Sequence, residues 1–355
     1  MEPRRPRLTP PIADIRRAVR ESLAAAGVGE GDLVLVGLSG GGDSLALAAG
    51  AAFEGPRAGI RVGAVIVDHG LQDASASAAE RAREQAVALG LAPVVVTRVQ
   101  VADAAAAGGP ENAARGARYA AFAASLADTG ATHLLLAHTL DDQAETVLLG
   151  LARGSGATSL QGMAPRSDLH SEVRAGGRGA VLRPLLGIRR ETTRQACRDA
   201  GLTMWDDPQN LDPSYARVRA RQNVLPVLER ELGPGVAEAL ARTAEQLRED
   251  AQAFDEMIEE VIEDICEPAE AGIAVSVRAL EANPAALRNR IIRHVVFSEF
   301  GVALERVHVL AVARLVTDWH GQKALDLPGG VRASRAGGHI VFSTTGATRL
   351  LPHDH

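Results

Sequence analysis

With 355 residues, 46% of them hydrophobic, the chain is longer than one typical domain and can bury two globular cores. Its two cysteines, Cys197 and Cys266, lie far apart and outside any CxxC pair, which excludes a disulfide framework, a zinc ribbon and an iron–sulfur site. The net charge of −6 argues weakly against a nucleic-acid partner, unless positive charges cluster locally. No apolar run reaches the roughly 18 to 20 residues of a membrane helix and no secretory signal is seen, so a cytoplasmic protein with no membrane association is expected.

The first part of the chain alternates short apolar runs with amphipathic segments. Strands are predicted at 33–38, 62–67, 93–99 and 133–137, and helices at 12–26, 75–89, 111–127 and 141–151. This alternation predicts an α/β fold, a parallel twisted sheet with helices on both faces. In such sheets, ligands bind at the carboxyl ends of the strands.

The rest of the chain has a different character. Residues 153–178 are rich in Gly and Ser and are predicted to form a loop, and 214–264 have helical periodicity broken near Pro226 and Gly233. The section at about 272–345 predicts a short strand, two helices and a β-rich end. We therefore divide the chain into an N-terminal extension and helix at 1–28, an α/β domain at 29–225, a smaller, mainly helical domain with a short β-rich end at 226–345, and a tail at 346–355.

The string LSGGGDS lies between a predicted strand and a predicted helix. Gly40, Gly41 and Gly42 let the backbone approach a ligand closely, and the following helix N-terminus directs free N–H groups at an anion. Ser39 and Ser44 add hydroxyl donors. A carboxylate beside a phosphate is unfavourable without a cation between them, so Asp43 predicts Mg²⁺. The string is neither GxxxxGK[ST] nor GxGxxG, and a plain glycine-rich turn with Asp as helix cap is the alternative.

Two further strings follow strands or helices of the same half. VDHGLQ ends the second strand, so Asp68 and His69 are expected to face a bound nucleotide, although a turn without chemistry would give the same letters. In ENAARGARY, Arg115 and Arg118 are three residues apart on one helix face. They are candidates for binding an anion, and solvated arginines are the alternative.

The string AHTLDDQAET runs from the fourth strand into a helix. Asp142 and Glu145 are three residues apart, so both carboxylates lie on one face near the start of that helix, with His138 just before it. A pair of carboxylates beside a phosphate site suits the binding of Mg²⁺ or of an ammonium group. Helix N-termini also favour acidic residues without any chemistry.

The SGGxDS string resembles the PP-loop of ATP pyrophosphatases, which cleave ATP between the α and β phosphates. Together, the strings of this chain are similar to those of the tRNA(Ile)-lysidine synthetases. The resemblance is dense over about 30–230 and weaker over 280–340, and three residues, Gln72, Thr139 and Val218, depart from the common pattern. The further strings that carry it are LARGSG at 151–156, RPLL at 183–186, WDDPQNLDPSYARVRAR at 205–221, PAALRNRIIR and DWHGQKALDLPGG.

The resemblance implies an adenine nucleotide α-hydrolase-like fold and an ATP-dependent ligase. Its substrates would be ATP, free L-lysine and an isoleucine tRNA with a CAU anticodon. The wobble cytidine O2 would attack the α-phosphate and release pyrophosphate, and the lysine amine would then attack carbon 2 and displace AMP. The product would read AUA instead of AUG.

The resemblance also implies roles for individual residues. Asp142 and Glu145 would bind the amine, one of them acting as base, while Arg115 would neutralise the α-phosphate and Asp43 would assist Mg²⁺ together with Asp142. The tRNA would be bound by two arginine clusters, each of which could also be a solvated face. The residues expected to bind ATP are Ser39, Gly40, Gly41, Gly42, Asp43, Ser44, Asp68, His69 and His138, and those expected to bind tRNA are Arg217, Arg219, Arg221, Arg288, Arg290 and Arg293.

Other functions stay open at this point. A tRNA thiolase of the same superfamily would need a reactive cysteine, and Cys197 falls within a predicted helix. A nucleotide-binding regulator without chemistry would not need the acidic pair. An amidotransferase-type synthetase would need a glutaminase nucleophile, which we do not find. The sequence leaves the oligomeric state open, and a homodimer is compatible with it.

Overall fold

The computed structural model describes residues 8–68, 75–99, 110–154, 156–169, 179–207, 211–269 and 272–344. His69, Gln72 and the predicted tail at 346–355 lie outside these ranges. The chain divides into two compact units, Met1–Arg248 and Glu249–His355.

The first unit is built on a six-stranded sheet in the order β3-β2-β1-β4-β6-β5. Five strands are parallel and β5 is antiparallel to β6 at the edge, so the predicted parallel sheet is confirmed. The strands are β1 (Leu33–Gly37), β2 (Arg61–Asp68), β3 (Val94–Arg98), β4 (His133–Leu135), β5 (Arg166–Asp168) and β6 (Ala180–Leu182).

Side chains of the sheet alternate between two apolar cores, because successive residues of a strand point to opposite faces. Val34 and Val36 belong to one core, with residues of the helices that precede and follow β1. Leu33 and Leu35 belong to another core, which includes Tyr119 from the helix before β4. Helices therefore cover both faces. Those of this region are α1 (Pro10–Ala25), α2 (Gly42–Glu54), α3 (Ser75–Ala88), α4 (Pro110–Thr129) and α5 (Leu140–Ala152).

The prediction of a loop over 153–178 is wrong in part. A short helix, α6 (Ala157–Leu160), and the edge strand β5 lie within it. Their sequences are short and polar, so they have no hydrophobic periodicity to detect. Buried Arg183 stabilises this edge by donating to the Ala164 carbonyl and the Ser167 hydroxyl, both at 2.9 Å.

Helices continue after the sheet: α7 (Arg190–Asp199), α8 (Ala216–Arg219), α9 (Leu225–Leu232) and α10 (Val236–Ile265). Between α8 and α9, residues Ala220–Val224 form a π-helical turn, closed by the Leu225 N–H on the Ala220 carbonyl. Pro226 lacks an N–H, so it cannot make the α-helical bond to residue 222. The first turns of α10 pack on α5, where Ala237 shares a small core with Leu140.

The second unit is an antiparallel sheet of five strands in the order β7-β8-β11-β10-β9, packed against helices. Its strands are β7 (Cys266–Ala269), β8 (Gly272–Ser276), β9 (Leu325–Leu327), β10 (Val331–Ala336) and β11 (His339–Thr344), and its helices after β8 are α11 (Val277–Ala282), α12 (Ala285–Phe300) and α13 (Arg306–Thr317). The sequence predicted two helices here. The additional short one, α11, starts where the Ser276 hydroxyl accepts from the Ala279 N–H. None of the described helices is long and apolar enough to cross a membrane.

Candidate active site

The loop Ser39–Ser44 leaves the carboxyl end of β1 and turns into α2. The Ser44 hydroxyl donates to the Gly41 carbonyl (3.0 Å) and accepts from the Ser39 N–H (3.2 Å), so the two ends of the loop are tied together. Gly41 is the N-cap of α2 and no side chain caps this helix end. The N–H groups of its first turn are therefore available to an anion.

Two glycines of the loop are in close surroundings. Gly40 has φ +81°, in the left-handed region where a side chain is strained. A Cβ on Gly42 would lie 2.9 Å from the Met204 sulfur and 3.3 Å from Arg194 Cγ, so a side chain at this position would require Met204 to shift. The Trp205 N–H donates to the Gly40 carbonyl (3.0 Å), which holds that segment over the loop.

Asp43, in the first turn of α2, is mostly buried and accepts from the Thr193 hydroxyl and from Arg190 Nε at 3.3 Å. Burial raises its pKa above the ordinary value, and the hydrogen bond from Thr193 and the charge of Arg190 only partly offset this effect. The carboxylate is thus under-neutralised in the ligand-free protein. A further cation beside Asp43 would stabilise the ionised carboxylate.

The acidic pair predicted on α5 is formed as expected from its spacing. Thr139 caps the helix in a reciprocal capping box with Asp142, and Asp142 Oδ2 accepts from the Thr139 N–H at 2.8 Å. Glu145, one turn on, has no exposed surface. Thr139, one of the three departures from the common pattern, has the role of this cap.

Two arginines hold the pair. Arg190, the first residue of α7, donates to Asp142 at 2.6 Å and to Glu145 at 3.2 Å. Arg221, in the π-helical turn, donates to both oxygens of Glu145 at 2.7 and 3.0 Å and lies 3.5 Å from Asp142. Burial would raise the pKa of Asp142, but the charge of Arg190 and the hydrogen bonds from Thr139 override it and lower the pKa below its usual value.

Arg190 connects the acidic pair with the phosphate loop. Besides Asp142 and Glu145 it contacts Asp43, and its backbone N–H donates to Asp141 at 2.7 Å. Burial alone would lower the pKa of Arg190, but the charges of Asp142, Glu145 and Asp43 outweigh it and raise the pKa. The guanidinium is therefore a permanent cation.

His138 lies directly before α5. Burial lowers its pKa to about 3, so the imidazole is neutral near pH 7. Its Nδ1 atom is buried and makes no hydrogen bond within the part of the chain that the structure describes. A bound ligand could supply the missing partner.

The loop and the acidic pair share one cleft. A cavity of about 840 Å³ is lined by Ser39, Asp43, Ser44, Asp68, His138, Asp142, Arg190 and Arg221. The candidate residues from β1, β2, β4 and α5 thus meet at the carboxyl end of the sheet, as the topology requires. Glu145 lies behind Arg190 and Arg221 rather than on the cavity wall.

Of the two arginines on α4, Arg118 lines the cavity and Arg115 does not. Arg115 packs over the ring of Tyr119, 4.5 Å from its centre, and donates to the Tyr119 hydroxyl at 3.3 Å. The periodicity placed both on one face and could not choose between them. Arg118 is the arginine of this helix that a ligand in the cleft would meet first.

The arginines predicted to bind tRNA lie in two places. In the first unit, Arg217 donates to Thr146 (3.2 Å), Arg219 donates to the Pro213 and Ser214 carbonyls (2.7 Å each), and Arg221 holds Glu145. In the second unit, Arg288 donates to the Asn283 carbonyl (3.3 Å), Arg290 packs over Phe254 (4.5 Å), and Arg293 lies on the same helix, α12.

Sequence reasoning missed Arg190 and Trp205, which line the cleft, and buried Thr193, which donates to Asp43. Thr193 and Arg190 belong to α7, whose string ETTRQACRDAG has a strongly polar face with no motif spacing. The signal that could have found Arg190 is the position of RR at the start of a helix that follows a strand end. The contacts of Arg190 with Asp43 on α2 and Asp142 on α5 can be seen only in the structure.

Both cysteines are poor nucleophiles. Burial raises the pKa of Cys197 to about 12, and its thiol donates to the Gly42 carbonyl at 3.2 Å. Burial raises the pKa of Cys266 to about 11, and this residue lies in β7 of the second unit. Since thiolate is the reactive form, neither residue suits sulfur transfer near neutral pH.

The cleft fits a nucleotide with a divalent cation. The loop offers backbone donors to phosphates, and Asp43 offers carboxylate oxygens, the ligands that Mg²⁺ prefers. Within the described ranges, no group of three His, Cys, Asp or Glu side chains could hold a metal ion alone. A magnesium ion would therefore be held jointly by Asp43 and the phosphates of the nucleotide, as is usual for this metal.

The glycine-rich loop follows β1 at the carboxyl end of a parallel sheet and leads into a helix. This arrangement defines a PP-loop nucleotide-binding protein. The model of the PP-loop domain matches residues 14–228, and that of the TilS substrate binding domain matches residues 276–341. The solved U34-tRNA thiolase NcsA from Methanococcus maripaludis has a similar fold, with a TM-score of 0.55, 18% identity and coverage of 67% of this chain and 80% of its own.

Curated relatives extend over almost the whole chain. The tRNA(Ile)-lysidine synthase of Leifsonia xyli subsp. xyli is 61% identical over 88% of this chain and 90% of its own length. Those of Streptomyces coelicolor and Mycobacterium tuberculosis (strain H37Rv) are 50% and 46% identical, over 90% of this chain each and 87% and 92% of their own. The chain belongs to the tRNA(Ile)-lysidine synthase family, whose PP-loop domain uses ATP.

Proposed function

We propose that this chain ligates free L-lysine to carbon 2 of the wobble cytidine of an isoleucine tRNA with a CAU anticodon, using ATP and Mg²⁺. The observation that supports it most is the single cleft that is lined by both the phosphate loop and Asp142, with Glu145 directly behind it in contact with Arg190 and Arg221. A cation-binding carboxylate pair next to a phosphate site is what an ATP-dependent reaction of an amine requires.

The first step would be adenylation of the tRNA. The cytidine O2 attacks the α-phosphate, the bond to the β-phosphate breaks, and pyrophosphate leaves with the negative charge. Ser39, Ser44 and the N–H groups of α2 would bind the leaving pyrophosphate, and Asp43 would bind its magnesium ion. Arg118 lines the cleft and would face the nucleotide, a role that the family resemblance assigned to Arg115.

The second step would use the acidic pair. The lysine amine has an ordinary pKa of about 10.4 and arrives as an ammonium ion, so it must be bound by carboxylates before it loses a proton. Asp142, with its lowered pKa, binds a cation well but is a weak base. We therefore assign Asp142 to binding the ammonium ion and Glu145, the other carboxylate of the pair, to accepting its proton. The freed amine then attacks carbon 2, and AMP leaves.

The tRNA would contact arginines, because phosphates require cations. Arg288, Arg290 and Arg293 on α12 lie within the matched substrate binding domain. A wobble base must leave its stack to expose O2, which an anticodon loop permits. We further propose that the enzyme is cytoplasmic, since its substrates are there. We also propose that it forms a homodimer, which a molar mass measured by light scattering can test.

The decisive experiment is incorporation of labelled lysine. The protein is incubated with labelled lysine, ATP, Mg²⁺ and isoleucine or methionine tRNAs that share the CAU anticodon, and label in RNA is counted. Incorporation is expected only into the isoleucine tRNA, with one AMP and one pyrophosphate released per lysine. Absence of label from every CAU-anticodon isoleucine tRNA would contradict the assignment.

Asp142→Asn is expected to reduce incorporation by at least about 100-fold, since loss of the charge removes the ammonium partner. Asp128→Asn, an exposed carboxylate of α4, is the matched control and should act like the unmodified protein. If Asp142→Asn retained full activity, Asp142 would have no role in binding lysine.

A further inference from the structure

Arg190 holds together two parts of the cleft that different substrates are proposed to use. Its guanidinium lies 3.3 Å from Asp43, on the phosphate-loop side, and 2.6 and 3.2 Å from Asp142 and Glu145, on the amine side. The side chain lines the cavity and is 19% exposed. One cation thus satisfies carboxylates of both half-sites in the ligand-free protein.

We propose that Arg190 is a positioning residue that occupies the amine site until a nucleotide binds, and so makes lysine binding depend on ATP. This rests on the proposed function, because it concerns the same carboxylates as the substrate ammonium. An ammonium ion can approach Asp142 and Glu145 only when the Arg190 guanidinium withdraws from them. Arg190 is therefore an internal competitor of lysine.

The charges of the cleft support an exchange of cations. In the ion-paired group around Arg190, three carboxylates (Asp43, Asp142 and Glu145) face two guanidinium groups (Arg190 and Arg221). The cavity wall also carries Asp68, Arg118, Arg194, Asp206 and Asp207. When Arg190 turns away, Asp142 and Glu145 keep only Arg221, and an ammonium ion restores the balance. Leaving the buried carboxylates without a second cation would be costly, so withdrawal and lysine binding are coupled.

The phosphates of a bound nucleotide attract the Arg190 guanidinium toward the phosphate loop. Arg190 already contacts Asp43, the carboxylate at the phosphate loop. A guanidinium forms bidentate, charge-assisted hydrogen bonds with phosphate oxygens as it does with carboxylates, and a triphosphate offers several negative charges at once. Its backbone is fixed, since the Arg190 N–H donates to Asp141 and the residue starts α7. Only the side chain has to move, from the acidic pair toward the phosphates.

The test is a lysine titration by calorimetry, with and without α,β-methylene ATP and Mg²⁺. In the unmodified protein, lysine should bind at least about tenfold more tightly with the nucleotide. Arg190→Gln should bind lysine without nucleotide about as tightly as the unmodified protein does with it, so the nucleotide effect disappears. Arg198→Gln, an exposed arginine two turns further along α7, is the matched control and should keep the full effect.

Arg190→Lys is measured in parallel because it keeps the positive charge that Arg190→Gln removes from the buried carboxylates, and so guards against a variant that fails to fold. An ammonium cannot reach Asp43 and the acidic pair at once as a guanidinium does, so the nucleotide effect should fall at least about threefold. A nucleotide effect as large as in the unmodified protein, in either variant, overturns the proposal. The proposal is also overturned if the unmodified protein incorporates lysine but binds it equally tightly with and without the nucleotide. If the unmodified protein neither binds nor incorporates lysine, the proposed function itself is contradicted.

Discussion

At the scale of single residues, Asp43 illustrates the cost of a preformed site. A folded pKa that is raised above the unfolded value of about 3.9 stabilises the fold only at low pH, where the side chain is protonated. This contribution is lost as the pH rises through the raised pKa. Near neutrality the ionised Asp43 therefore destabilises the ligand-free protein.

Asp43→Asn is expected to raise the midpoint of thermal unfolding at pH 7 in EDTA, because it removes a buried charge. At pH 4 the difference between variant and unmodified protein should shrink. The same variant should lose at least about tenfold in affinity for ATP and Mg²⁺, measured by calorimetry. If Asp43→Asn instead lowered the unfolding midpoint relative to the unmodified protein, and did so more at pH 7 than at pH 4, the predicted direction of the effect would be wrong.

The two cysteines offer a second prediction for single residues. Since burial raises the pKa of Cys197 to about 12 and that of Cys266 to about 11, neither should be needed for catalysis. The variant with both changed to Ala should keep lysine incorporation within about twofold. It should lose about 1 kcal/mol of stability, because the buried Cys197 side chain leaves a small void.

Loss of lysine incorporation in the folded double variant would contradict this prediction and would mean that one of the thiols is needed. Cys197→Ser separates the two effects, since it fills the site and keeps a weak donor toward the Gly42 carbonyl.

The sequence could predict Asp142 and Glu145 as a pair because their spacing of three fixes them on one helix face. It could not predict their partners. Arg190 is 48 residues from Asp142 along the chain and Arg221 is 76 residues from Glu145, and no local pattern encodes such contacts. Whether a carboxylate is paired with an arginine or left for a ligand depends on packing between helices.

At the scale of elements, the buried strands were the most predictable part. Apolar runs such as that of β1 are covered on both faces, so their composition alone indicates a strand. The edge strand β5 escaped prediction because it is polar and three residues long. The π-helical turn at Ala220–Val224 escaped as well, although Pro226 marks a break, because the sequence does not say which way a helix adapts to a proline.

The phosphate loop gives a prediction for this scale. Gly40→Ala should cost about 1 to 2 kcal/mol, since an L-residue is strained at positive φ, and should raise the KM for ATP about tenfold by displacing the loop. Gly130→Ala, which follows α4 at φ +70°, carries the same strain with nothing near its Cβ. It should lower stability equally and leave the KM for ATP unchanged. Equal KM values in both variants would mean that the Gly40 conformation is not needed for ATP binding.

At the scale of the whole molecule, the negative net charge of the chain argues against the polyanionic substrate that we propose. The chain carries −6, yet the proposed substrate is a polyanion. Positive charges are concentrated instead on particular elements, and α12 alone carries Arg288, Arg290 and Arg293. Composition therefore predicted a globular chain but gave no sign of a polyanionic partner, which only the local clusters of arginines indicated.

Within that cluster, two of the three arginines have packing contacts in the second unit. Arg288 donates to carbonyls in its own unit and Arg290 packs over Phe254, so both contribute to the fold. Arg293→Ala is expected to weaken binding of the isoleucine tRNA about three- to tenfold and to lower the slope of log Kd against log salt by about one, because one phosphate contact is lost.

The measurement is tRNA binding by filter retention from 50 to 200 mM salt. Arg332→Ala is the control, since Arg332 is exposed on β10 and paired with Asp326 at 2.9 Å, and it should keep both the affinity and the slope. If Arg293→Ala changed neither quantity while lysine incorporation remained intact, α12 would not lie against the tRNA backbone. The phosphates would then have to be bound by other arginines, and the cluster at Arg217–Arg221 would be the next to examine by the same salt titration.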